Sequence, residues 1–273
     1  MSRKRHIDYG LKFLHQIMGL KALHLGMWTD EMPRTLGGVP AAQQLYTETL
    51  IGFIPEGVRT VLDIGCGSGD TSRQLIAAGF GVEGLSPDAY HGELYAETNG
   101  KDVPFHLAKF EDCSPGKTYD CLLFSESAQY VDKDRLFPKC LELTRPGGHV
   151  VASDFFQIAP CEEYHMCFVE EDFVARGERA GFKVTAHRDI TADVVPTQDV
   201  SLVQLRHAQA AFQFALDAAR NEAPVLWKLV RMFLGKKIEA VRQLLYEKLP
   251  PRLDPKRFLD TVRYAIYRMT REG

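Results

Sequence analysis

Several things this chain lacks narrow what it can be. No apolar stretch reaches the roughly 18–20 residues that a bilayer-spanning helix requires, so no integral membrane segment is expected. The opening Met1-Ser-Arg-Lys-Arg-His is basic, but the residues after it mix apolar with charged and small types and provide no signal-peptide core; the expected location is the cytoplasm. The 6 cysteines (Cys66, Cys113, Cys121, Cys140, Cys161 and Cys167) form no CxxC pair and no regular spacing, which argues against a zinc ribbon and a disulfide scaffold. Cys161, His165 and Cys167 lie close together in sequence, but a structural zinc would want a fourth ligand and tighter spacing, so no metal is expected. Surplus positive charge is lacking too: 33 Lys and Arg against 36 Asp and Glu give a net charge of −3, and nothing in that balance draws the chain to nucleic acid. There is no internal repeat and no low-complexity linker.

What remains is the composition of an ordinary globular protein, with 45% hydrophobic and 25% charged residues. A length of 273 residues suffices for one elaborated domain with a substantial core. The charge is uneven. From Lys228 through Arg231, Lys236, Lys237, Arg242 and Lys248 to Arg257 the sequence is basic, with aromatic and aliphatic residues interleaved. Such a run reads first as a solvated helix face, and otherwise as a contact for an anionic substrate or a peripheral membrane contact.

Apolar spacing at Leu11, Leu14, Ile17 and Met18 predicts a helix, and a second follows from about Pro40 to Ile54. Then Thr60–Ile64 is a β-rich run, followed at once by Gly65-Cys-Gly-Ser-Gly69 and a helical stretch from Asp70 to Ala78. Strands are expected at 81–85, 103–107, 119–124 and 149–153, the last after a turn at Arg145-Pro-Gly-Gly148, with helices near 87–98 and 133–143. A helix beyond Glu170, a strand from Phe182, an all-helical stretch from about Val200 to Leu249 and a last strand at Thr261–Thr270 complete the order. Regular β/α alternation predicts an α/β fold: a Rossmann-like, doubly wound, mostly parallel seven-stranded sheet whose ligands sit at the C-terminal strand ends. The expected organisation is an N-terminal helical segment over the cofactor site (1–50), a Rossmann-like core (51–199), a helical cap inserted before the last strand (200–258) and that strand (259–273).

In Asp63-Ile-Gly-Cys-Gly-Ser-Gly69 small residues let the chain turn sharply from strand to helix and let backbone approach a ligand. The third glycine follows the second by two residues, not three, and Asp70 stands where a dinucleotide fingerprint needs glycine. Asp63 and Asp70 also suit a ligand with an ammonium and a sulfonium better than a pyrophosphate. At these residues the chain resembles the first motif of class I S-adenosylmethionine (SAM)-dependent methyltransferases. Arg145-Pro-Gly-Gly-His149 resembles that family's turn into the fifth strand, Leu23-His-Leu-Gly-Met-Trp28 is similar to a segment of the tocopherol, sterol and cyclopropane-fatty-acid enzymes, and Asp189–Thr197 is similar to one of the sterol and tocopherol group.

The resemblance implies SAM as cofactor and a methyl group transferred to a small, lipophilic or aromatic acceptor. It implies that Gly65, Cys66, Gly67 and Gly69 cradle the methionine part, that Asp63 anchors the loop or the amino group, and that Phe110 and Glu111 lie beside the adenine. Ser125 at the fourth strand tip and Trp28 complete the expected cofactor contacts. In one respect the chain departs from the family: Gly84 occupies the place of the acid that takes the ribose hydroxyls, while Glu83, one residue early, should face the other way. Ser86, Asp88 or backbone groups are the expected substitutes.

Methyl transfer from a sulfonium needs alignment in a dry pocket more than chemical machinery, with a base helping an acceptor that must lose a proton. The candidate catalytic residues are Glu126, His24 and Tyr130, with Gln129, Asp154 and His165 as further polar groups near the strand tips. His24 also reads as a packing or cofactor-positioning residue, and Trp28 and Tyr130 as pocket walls. Two alternatives stay open: a cyclopropane-synthase-like lipid methyltransferase acting at a membrane surface, and a non-catalytic SAM-binding protein. A nucleic-acid methyltransferase is disfavoured, since Ser125-Glu-Ser-Ala128 stands where that class has an Asn/Asp-Pro-Pro-Tyr motif. The accepting atom and the oligomeric state are left open by the sequence.

Overall fold

The structure of the chain, a computed structural model, describes residues 22 and 24–272. The helix expected over Leu11–Met18 lies outside the described residues. Helix α1 (Val39–Gly52) leads into β1 (Thr60–Ile64), whose burial on both faces is what a central parallel strand demands. There follow α2 (Asp70–Ala77), β2 (Gly81–Ser86), α3 (Ala89–Asn99), β3 (Phe105–Leu107), β4 (Tyr119–Ser125) and α4 (Leu136–Leu143). Asp88 starts α3, its Oδ1 accepting the Tyr90 N–H at 2.7 Å, so the helix begins after the Ser86-Pro87 corner.

Strand β5 (Thr144–Gln157) is longer than its β-rich centre predicted. Thr144 pairs with Tyr119 and His149 with Cys121, so Arg145-Pro-Gly-Gly148 is looped out within the strand as a bulge. Arg145 holds the bulge to the Asp120 carboxylate, which also accepts the Arg59 and Thr60 N–H groups. A short strand that the pattern did not reveal, β6 (Phe168–Val169), adds to the far end of β5; then come α5 (Glu170–Arg179), β7 (Phe182–Asp189), α6 (Thr191–Val194), α7 (Pro196–Glu222) and α8 (Pro224–Gln243). One π turn (Leu244–Lys248), α9 (Leu249–Arg252) and α10 (Pro255–Thr261) return the chain to β8 (Val262–Arg271).

The sheet order is β3-β2-β1-β4-β5-β8-β7, with β8 antiparallel to both β5 and β7 and the other pairs parallel. The expected seven strands form the sheet path, and β6 makes an eighth. Apolar side chains fill both faces. One core joins Leu62, Phe124, Phe137, Phe156, Phe173 and Met269; the other joins Tyr46, Leu50, Leu75, Leu123, Val151 and Ile266. The order reverses between β1 and β4, so the crevice of an open α/β sheet falls at the ends of these two strands.

Candidate active site

At that crevice the sheet opens into a cavity of about 640 Å³, within the range of roughly 300–1,000 Å³ that small-molecule sites occupy. Its floor is the β1 turn. Gly65 has φ of 75° and comes so close to Ser127 that a Cβ would lie 2.5 Å from the Ser127 Cβ, and the Ser127 hydroxyl donates to the Ile64 carbonyl at 2.6 Å. Gly67 has φ of 54°, and a Cβ built there would meet nothing within 4 Å. This is a left-handed position facing open space in the cavity lining, where only glycine combines the conformation with clearance for a ligand. Asp63 is buried behind the turn. Its Oδ2 accepts the Ser72 hydroxyl at 2.6 Å, and burial pushes its carboxyl up to about 6.

Of the predicted cofactor contacts, Asp63, Gly65, Cys66, Gly67, Ser86, Phe110, Glu111 and Ser125 line the cavity. Gly69 and Trp28 are not among the lining residues. Gly69 caps α2 from behind. Trp28 is buried against Val39, Ala42 and Val200, and its indole N–H donates to the Thr197 hydroxyl at 2.8 Å. The same hydroxyl donates to the Gly26 carbonyl at 3.2 Å, while the Trp28 amide donates to the Asp193 carbonyl at 2.8 Å. The 24–28 segment and the 189–197 segment, read separately in the sequence, are thus stapled to each other.

Gly84 has a steric cause: a Cβ there would lie 2.4 Å from the Tyr95 ring, so the space of the expected acid is filled by an aromatic side chain. Glu83 faces the other way, as strand alternation requires. Its Oε2 accepts the Tyr119 hydroxyl and the His106 Nε2, each at 2.7 Å, and its other oxygen takes Lys117. Against burial, these bonds hold its carboxyl down at about 2. On the cavity side of the β2 tip stand Ser86, whose Oγ lies 2.8 Å from the His91 Nδ1, and the buried Asp88.

The three candidate catalytic residues all line the cavity, in different surroundings. Tyr130 is 65% exposed at the rim. His24 is buried; burial drives its imidazole down to about 4 and leaves it neutral. Its Nδ1 donates to the Leu25 carbonyl at 2.9 Å, which places the proton on Nδ1, and the ring stacks on Tyr46 with centroids 4.3 Å apart. Glu126, immediately after β4, is the one non-glycine residue of positive φ (53°) among the described residues, a conformation costing about 1–3 kcal/mol. Its Oε1 accepts the Leu25 N–H and the Tyr264 hydroxyl, both at 2.6 Å. Burial pushes the carboxyl up to about 7, although both hydrogen bonds pull the other way. Tyr264 also lies 3.2 Å from the Tyr46 hydroxyl, which is 3.0 Å from Ser125 Oγ.

Asp154 is buried nearby and raised to about 7 by desolvation, its Oδ2 accepting the Gln129 N–H at 3.2 Å. His165 is absent from the cavity wall and bonds the Glu162 carbonyl at 2.7 Å. Among the described residues no group of three His, Cys, Asp or Glu side chains is placed to hold a metal.

Sequence reasoning missed Tyr46, Tyr264 and three residues of the helices after β7, Gln198 and Ser201 of α7 and Arg252 of α9, the last three of which line the cavity. Tyr264 and Glu126 are 138 residues apart, and no local pattern signals their meeting.

A strand-tip cavity floored by a glycine turn that leaves room for a ligand can be compared with known proteins. Residues 61–148 match a family model described as a methyltransferase domain. That stretch is similar to a methyltransferase domain. Over 98 residues it is 34% identical to a ubiquinone biosynthesis O-methyltransferase of Rhizobium etli, an alignment covering 34% of this chain and 39% of that protein. The chain therefore matches well under half the length of such curated relatives. A longer match, 26% identical over 197 residues, is to the O-methyltransferase cnsE of Penicillium expansum and covers 64% of this chain and 70% of that one. Among solved structures, the geranyl diphosphate C-methyltransferase of Streptomyces coelicolor superposes with a TM-score of 0.65 at 16% identity, over 94% of this chain and 92% of that one. At that identity the likeness concerns the fold. The matched stretch spans β1 to the β5 bulge, so the glycine turn, the β2 tip and Glu126 all lie within it, whereas His24, Tyr264 and the helices after β7 lie outside.

Proposed function

We propose that this chain transfers a methyl group from SAM to a small lipophilic or aromatic acceptor held between the strand tips and the helical cap. The observation that carries the reading is the single cavity joining the Gly65–Gly67 turn, Glu126 and the cap residues Arg252 and Leu253. The residues fit the cofactor. Gly67 leaves open the space that a side chain would fill, and Asp63 and Asp70 supply carboxylates toward a cationic ligand. Phe110 gives an apolar wall beside Glu111, and Ser86 with Asp88 offers polar groups for hydroxyls. The helical stretch from Pro196 to Thr261, together with residues 24–28, serves as the lid.

When bound, SAM supplies an electrophilic methyl on a sulfonium, whose positive charge is lost as the methyl leaves. The chain's part is to align and to dry the site: Phe155, Tyr164 and Leu253 line the acceptor side and exclude water. Among the described residues Glu126 Oε2 has no hydrogen-bond partner, and its carboxyl, poised near 7, is matched to taking the proton from an acceptor hydroxyl. The Tyr264 hydroxyl and the Leu25 N–H fix the orientation of that carboxyl. His24, neutral and held through both ring nitrogens, packs and positions. The names of the curated relatives as O-methyltransferases favour a hydroxyl acceptor.

Calorimetric titration with SAM, S-adenosylhomocysteine and NAD, followed by transfer of labelled methyl to a panel of lipophilic phenols, tests the reading. Binding of both adenosyl ligands without NAD, and labelled product from at least one phenol, is expected. Binding of NAD alone would overturn it, and SAM binding without turnover on phenols, amines and lipids would leave a binding protein.

A further inference from the structure

Helix α8 stands apart in this molecule: it is 20 residues long and buries none of them. One side faces α7. The partly covered Trp227, Val230 and Ile238 lie on this side, Arg220 of α7 sits over the Trp227 ring at 5.5 Å, and Gln209 of α7 donates to the Leu245 carbonyl just beyond α8. The other side carries a second apolar stripe at helical spacing: Val225, Leu229 and Met232, with Leu226 and Phe233 beside them. These five are 74%, 48%, 66%, 59% and 76% exposed. A helix whose second face is apolar and bare has a partner.

The charges on the same helix identify that partner. Lys228, Arg231, Lys236, Lys237 and Arg242 stand against a single acid, Glu239, which Arg242 already neutralises at 2.7 Å. Among the described residues Lys228, Arg231, Lys236 and Lys237 enter no ion pair. Two such helices face to face would bring like charges together, which disfavours a second copy of the chain. A bare stripe of Leu, Met, Phe and Val flanked by free lysine and arginine matches the in-plane helix that rests in a headgroup layer. No described helix is long and apolar enough to cross a membrane.

We propose that α8 is a peripheral anchor that lays its outer apolar stripe into the surface of an anionic lipid bilayer. The chain runs from α8 through one π turn to α9, whose Arg252 lines the cavity, so the anchored helix is directly continuous with the cavity wall. The proposal does not depend on methyl transfer being the reaction.

Sedimentation of the full chain with phosphatidylcholine vesicles, and with vesicles that also contain phosphatidylglycerol, tests it. The chain should pellet with the anionic vesicles and far less with the neutral ones, and should be released by salt. Replacing Lys236 and Lys237 by Gln should weaken binding roughly thirtyfold, each basic group near an anionic leaflet contributing about fivefold. Leu229→Gln with Phe233→Gln should abolish binding while leaving the melting temperature unchanged, because both side chains are exposed. Failure to pellet with anionic vesicles would overturn the proposal, as would undiminished binding by either double variant. A dimer in lipid-free ultracentrifugation that Phe233→Gln dissociates would overturn it in favour of a second copy.

Discussion

Replacing Glu126 by Gln separates what this residue does for stability from what it does for chemistry. In the folded chain the carboxyl is raised from 4.5 to about 7, because burial penalises the charged form more than the Leu25 and Tyr264 bonds favour it. Between these values the folded state holds a proton that the unfolded state has released, so stability contributed at this position falls as pH rises through the window. The difference amounts to up to about 3 kcal/mol at ~1.4 kcal/mol per pH unit. Gln keeps a carbonyl for both donors and never ionises. The variant should therefore match the wild type near pH 4.5 and exceed it by up to about 3 kcal/mol near pH 8, since Asp63 and Asp154, raised in the same direction, cancel in the comparison. Urea denaturation of both proteins across this range, without cofactor, measures it. Over the same substitution, turnover should drop about 10²–10⁴-fold if the carboxylate takes the acceptor's proton, with SAM affinity nearly retained. A stability difference that does not grow with pH would refute the buried, raised carboxyl. Equal losses in turnover and SAM affinity would make Glu126 a cofactor contact.

Further substitutions probe the surroundings. Gly67→Asp places bulk and charge in the open floor of the turn and should abolish SAM binding by calorimetry in a chain that circular dichroism shows folded; unchanged affinity would remove the cofactor from this turn. Gly84→Ala sets a Cβ 2.4 Å from the Tyr95 ring and should cost about 1–3 kcal/mol in urea denaturation, whereas an unshifted midpoint would contradict that packing. Tyr264→Phe removes one donor to Glu126, costs about 1–3 kcal/mol, and moves the Glu126-dependent limb of the pH–rate profile upward; a profile that stays in place would uncouple the two residues. The His24 imidazole, held down at about 4 by burial, should show no NMR titration between pH 5 and 8; because its folded value is depressed, its contribution is present above 6.5 and lost as pH falls toward 4. Titration near 6.5 would mean that it is exposed to water.

The order of elements was legible in the sequence because the patterns behind it are local. Val61, Leu62 and Ile64 give Thr60–Ile64 its strand character, the glycines after it allow a sharp turn, and Asp70 begins a helix, so strand, loop and helix follow from neighbours alone. The β/α alternation then forces a parallel sheet with its ligand crevice at the C-terminal strand ends. Even the outward direction of Glu83 followed from strand alternation.

Long-range packing decided the rest. Gly84 is small because Tyr95 occupies its space, Trp28 turns away from the cavity to bond Thr197, and Glu126 is held by an amide 101 residues before it and a phenol 138 residues after it. The sequence by itself determined which backbone turn could receive a ligand, because conformational limits act residue by residue. Only the tertiary structure decided which side chains face that ligand and at what proton affinity, because desolvation and hydrogen bonding depend on neighbours that the chain brings together only by folding.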